Sequence, residues 1–242
     1  VFSLLISMFY GYNFVPKVWY YGELGHTWSL SLEEQFYLVW PWVVNFLSHK
    51  KMMIAALSIV LMCLMALYAL PKLTVFVHRY YRFEKVFYWH RWFLPAVGPV
   101  MIGAMAAIIK RVKITWIKQY VNTKQWQIMA VLMFFAPLYF PIQLLAYVGL
   151  VQAVAIAMLL LWLCENQSHR FIIPLLHNKP MVFLGKISYS LYIWQGLFLR
   201  TGPGGELTVQ QLPLNIVLTF GMAIASYYLI EKKALAYKKY FT

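Results

Sequence analysis

Glu33 and Glu34 are adjacent carboxylates at the entrance of an apolar, aromatic-rich run that extends from Thr27 to about Leu47. They are two of only seven acidic residues in the chain, so their place in such a run needs an explanation. Ionisable groups within a membrane span are costly and usually face a bundle interior or a wet cavity. On a 3.6-residue helix, Ser29, Glu33, Tyr37 and Trp40 share one face, while Glu34 lies on a neighbouring stripe with Leu30, Leu38 and Pro41. Such a face could form a polar slot lined by Ser29, Glu33 and Tyr37, with His26 at its mouth. Carboxylates and a histidine are the side chains that most often move protons in catalysis. Two structural readings compete with this one. Ser31-x-x-Glu34 fits a capping box, with both glutamates complementing the dipole of a first turn. Trp28, Tyr37, Trp40 and Trp42 fit an interfacial aromatic belt as well as a binding wall.

The elements that would position these residues are membrane spans. The 242 residues are 62% hydrophobic and 12% charged, with a mean hydropathy of +0.65. Soluble domains are about half apolar and a quarter charged. The expected fold is all-α, a polytopic transmembrane bundle forming one domain over residues 1–242. Apolar runs are expected to cross at 1–14 (incomplete), 27–47, 52–70, 93–109, 125–141, 147–163, 184–199 and 213–230, about eight spans in all. Pro95, Gly98, Pro99 and Gly103 predict kinks or close helix approach in the fourth run. A very short turn near Pro141, or one broken re-entrant element, would join the fifth and sixth. Residues 48–51, 72–92, 110–124 and 165–183 read as connections.

The net charge of +14 would point to nucleic acid in a soluble protein. Here the basic residues fall between apolar runs, so lipid headgroups are the expected partners and nucleic acid is not. Fourteen of the 21 Lys and Arg lie in alternate loops on one side, which predicts a multi-pass protein of the cytoplasmic (inner) membrane with its C-terminus inside. Cys63 and Cys164 each sit in an apolar run, and no Cys/His metal spacing is present in the sequence, so no metal is expected.

Trp28-Ser-Leu-x-x-Glu33-Glu-Gln-Phe-Tyr-Leu38, followed by Trp40-Pro41, resembles the signature of the integral-membrane acyltransferase family 3. That family includes bacterial O-acetyltransferases of surface polysaccharides. Gly185 to Trp194 resembles a second family motif, with Gln195 where the family often has His. Tyr227 to Glu231 resembles its closing segment, with Lys232 and Lys233 in place of an Arg-Pro pair. The resemblance implies transfer of an acyl group, in the first instance acetyl, from acyl-CoA to a hydroxyl of a cell-surface glycan or lipid-linked sugar, with no bound cofactor. It implies roles for Glu33, Glu34 and His26 in catalysis and for Trp28, Ser29, Tyr37 and Arg91 in substrate binding. The family's membrane domain has two further helices before the position matching Val1, and its proposed catalytic His lies on the first of them. The general base is therefore expected upstream of residue 1. A transporter, to which intramembrane carboxylates and broken helices are also suited, and a non-catalytic remnant are the alternatives.

Overall fold

The structure, a computed structural model, describes residues 2–78, 87–112, 115–140, 145–167, 169–199 and 207–238. They are helical in the main, with no strand among them beyond an isolated bridge between Pro16 and Phe87. The helices are α1 (Phe2–Met8), α2 (Thr27–Phe46), α3 (His49–His78), α4 (Phe93–Ala96), α5 (Gly98–Val112), α6 (Thr115–Val121), α7 (Lys124–Phe134), α8 (Leu145–Glu165), α9 (Ile172–Leu176), α10 (Lys179–Phe198), α11 (Leu214–Ser226) and α12 (Lys232–Lys238). A π-helical stretch, Tyr227–Glu231, joins the last two. Two compact units result. The central one is Met8–Val18 with Trp28–Gln167, and the terminal one is Val1–Ser7, Trp19–Thr27 and Ser168–Thr242.

Three helical stretches are long and apolar enough to cross a membrane, at His49–Ala69, Tyr147–Glu165 and Leu214–Tyr237. The expected count of eight is not confirmed. Helices α2 and α10 have the length, 20 residues each, but their Trp, Tyr and charged residues keep them below that level of apolarity. The 125–141 run yields only the 11 residues of α7. At 1.5 Å per residue that is roughly 17 Å, short of the ~30 Å hydrocarbon core. Pro141 and the basic residues Arg79, Arg82, Lys85, Lys113, Arg200 and Lys239 lie outside the described residues.

Several helix ends differ from the hydropathy reading. Helix α3 begins inside the expected basic turn, at His49, and continues past Pro71 to His78. A proline costs one hydrogen bond and some steric strain, whereas a helix end leaves four carbonyls without intrahelical partners. The expected loop at 110–124 is largely helical, because Ile117 and Val121 bury one face of α6. Within 165–183, α9 forms and Asn178 caps α10, its side chain accepting from the Met181 N–H at 2.8 Å. Polar ends belong to these helices even though they do not belong to the apolar runs.

The core of the central unit joins α2, α3, α4 and α5 through Leu32, Phe36, Ala56, Cys63, Val97 and Met101. Leu67, Ile102, Leu150 and Ala157 extend it to α8. The kink expected from Pro95 to Pro99 is the break at Val97 between α4 and α5. Gly98 is the point of close approach. A Cβ there would stand 2.6 Å from Leu150 Cδ2 and 3.4 Å from Cys63 Cβ, while one at Gly103 would meet nothing within 4 Å.

Candidate active site

Helix α2 carries most of the candidate residues, and its start fixes how they are read. It opens at Thr27, whose hydroxyl donates to the Leu24 carbonyl at 2.7 Å. Ser31 is therefore interior to the helix, not its N-cap, and no acidic residue lies in the first turn. The capping-box reading is corrected accordingly. The buried Ser31 hydroxyl instead accepts from the Tyr12 N–H at 3.1 Å. One turn on, Gln35 and Asn13 exchange two amide hydrogen bonds, at 3.0 and 3.2 Å, and Gln35 also donates to the Tyr10 carbonyl at 3.0 Å. Tyr10 has φ 54, a left-handed conformation uncommon for a tyrosine. Ser31 and Gln35 thus tie the 10–13 segment to α2 by replacing the backbone partners that this turn lacks.

The buried side of α2 is Leu32 and Phe36, with Trp40 stacked on Phe36 at 5.2 Å between centroids. Ser29, Glu33 and Tyr37 follow the predicted stripe. Ser29 is half-buried, while Glu33 and Tyr37 stand on the open face of the helix, Tyr37 with 59% of its surface exposed. Glu34 is half-buried.

Arg91 and Trp28, two of the predicted substrate-binding residues, are brought together. The Arg91 guanidinium lies 4.3 Å from the Tyr88 ring centroid and 5.9 Å from that of Trp28. Lys17 faces the same Tyr88 ring at 4.8 Å. Around them, Trp92 meets Phe14 and Phe87 at 6.0 and 5.9 Å, and His90 meets Tyr88 and Trp89 at 5.9 Å each. Partial desolvation of the His90 ring, then the charges of Arg91 and Lys17, hold its pKa below the ordinary value and keep it neutral. Two cations set among aromatic faces can hold an anionic group while a ring stacks on an apolar or sugar surface. Lys17 and Tyr88 are not among the residues that the sequence singles out. The Tyr-Trp-His-Arg run at 88–91 was the available signal, but nothing in it pointed to Lys17.

His26 belongs to the terminal unit. Its ring packs edge-on to Tyr192 at 5.2 Å, and the Tyr192 hydroxyl donates to the His26 carbonyl at 2.7 Å. The ring occupies the space where a Cβ of Gly196 would lie. Burial lowers the His26 pKa, against a smaller upward pull from hydrogen bonds with the Ile193 and Glu23 backbone. The second motif therefore serves to seat this histidine. Ser190, in the same motif, donates to Glu231 of the closing segment at 2.8 Å. Groups of three or more metal-ligating side chains are absent among the described residues.

The family model described as an acyltransferase domain, acyltransferase family 3, matches residues 1–232. The chain belongs to this family. No curated protein matches it, and no solved structure does. Membership and the long apolar helices together make this a membrane acyltransferase domain. The three segments singled out above, 28–41, 185–194 and 227–231, all lie inside the matched region of this acyltransferase domain.

Proposed function

We propose that the domain serves transfer of an acyl group, in the first instance acetyl, from acyl-CoA to a hydroxyl of a cell-surface glycan or a lipid-linked sugar. The observation that carries the reading is the family match over 1–232, which supports acyl transfer in a membrane. The Arg91–Tyr88–Trp28 cluster supports the choice of an acceptor that combines a sugar face with an anionic group. The new ester forms when the acceptor oxygen attacks the thioester carbonyl. The oxygen's proton passes to a base, and the CoA thiolate leaves. Within the central unit, Trp28 and Tyr37 provide the wall, Arg91 with Lys17 holds the anionic group, and Glu33 and Glu34 orient the acceptor hydroxyl. His26, in the terminal unit, keeps the catalytic role that the family resemblance implies. The membrane is the cytoplasmic one, and the C-terminus lies inside.

Mass spectrometry of surface glycans, from cells with and without the intact gene, tests this reading. Deletion should remove one acyl substituent, complementation should restore it, and Glu33→Gln should restore it only in part. Full restoration by Glu33→Gln would remove Glu33 from the site, and an unchanged glycan after deletion would remove the acceptor class.

A further inference from the structure

The start of α10 and the stretch joining α11 to α12 enclose a cleft of about 360 Å³ in the terminal unit. Lys179, Lys186 and Lys232 line it with His177, and no carboxylate is among the lining residues. Glu231, the acid next to Lys232, has its carboxylate engaged by the Ser190 hydroxyl at 2.8 Å. The three lysines therefore line the cleft with no acid on its wall. Aromatic rings complete the lining. Phe183, Tyr227 and Tyr228 contribute them, and Lys232 Nζ stands 5.3 Å from the Tyr228 ring centroid. The π-helical turn at Tyr227–Glu231 brings consecutive tyrosines and then Lys232 to this wall. Such widened turns recur at functional sites.

We infer that this cleft binds the phosphate of an amphipathic ligand. Lysine ammoniums meet the phosphate oxygens as point charges, and the rings cover the less polar atoms beside them. Two ligands present that chemistry at a membrane surface. One is the acyl-CoA donor, a choice that rests on the function proposed above. The other is the headgroup of an anionic phospholipid. Small-molecule sites span roughly 300–1,000 Å³. This cleft is at the low end, large enough for a diphosphate or a glycerophosphate head, and the remainder of either ligand lies outside it.

The test uses the full-length protein in nanodiscs. Binding of CoA and of phosphatidylglycerol is measured for the native protein, for K179Q/K186Q/K232Q, for K179R/K186R/K232R, and for K233Q as a control outside the cleft. Losing the lysine contacts together should weaken binding by roughly tenfold or more. A drop of that size for CoA in the glutamine variant, with binding kept by the arginine variant and by K233Q, assigns the cleft to the donor. The same pattern for phosphatidylglycerol, with CoA unchanged, assigns it to the lipid. Unchanged binding of both ligands overturns the inference. Amine-acetylation footprinting of the native protein covers the case of a misfolded glutamine variant. CoA or phosphatidylglycerol should protect Lys179, Lys186 and Lys232 but not Lys233, and no protection by either overturns the inference. These readouts report binding, so intact binding without acyl transfer would count against the proposed function and leave the cleft standing.

Discussion

At the level of single residues, Gly196 and His26 set the packing of α10 just past the second motif. Gly196 has no side chain because the His26 ring and the Glu23 carbonyl fill that space. Gly196→Ala should therefore cost about 1–3 kcal/mol through overpacking. In a His26→Ala background the cost should shrink but not vanish, since the ring is gone while the Glu23 carbonyl still stands 2.5 Å from the new Cβ, offset in part by alanine's helix preference over glycine of roughly 1 kcal/mol. Thermal unfolding of the four proteins in detergent measures this coupling. The His26 pKa is depressed in the folded state, as is that of His90. Between the ordinary value of 6.5 and the lowered value, the unfolded chain binds more protons than the folded one. Stability should therefore be full above that window and fall as pH drops through it. Melting curves on either side of that window should show His26→Ala and His90→Ala each flattening part of the slope.

Helix α2 has one face made for packing and another left open. Leu32 and Phe36 are buried against Val97 and Met101, whereas Val39 is 54% exposed. Lipid tails are as apolar as leucine, so the cost of Leu32→Ala is mainly the cavity it leaves. About 2–3 kcal/mol is expected, at the low end for such substitutions, with Val39→Ala within ~0.5 kcal/mol of native. Thermal unfolding of both variants checks the contrast. This helix was legible in the sequence almost to the residue, because its apolar run and its helical run coincide. The break at Val97 was legible too, from Pro95, Gly98 and Pro99. The helices α6 and α9 were not, since their polar residues end an apolar run without ending the backbone hydrogen bonding. Nor was the seat of His26, because it depends on a partner 166 residues away, Tyr192, that no local pattern announces. On α2, Glu33 and Tyr37 keep the predicted stripe, but only burial distinguishes a slot from an open face.

Across the whole molecule, family membership gives the reaction class, and charge asymmetry supports the proposed orientation. With fourteen of 21 basic residues assigned to one side, a fluorescent protein fused after Thr242 should fold and fluoresce, and an alkaline phosphatase fused there should be inactive. The reverse pattern would place the C-terminus outside. Acyl transfer is the claim on which the rest of the account depends, and it can be read without knowing the acceptor sugar in advance. The full-length protein, reconstituted in vesicles with acyl-labelled CoA on one side and extracted cell-surface glycan or its lipid-linked precursor on the other, should move label into the glycan fraction. Labelled CoA that stays intact, or label released only as the free acid with none in any glycan, would contradict it.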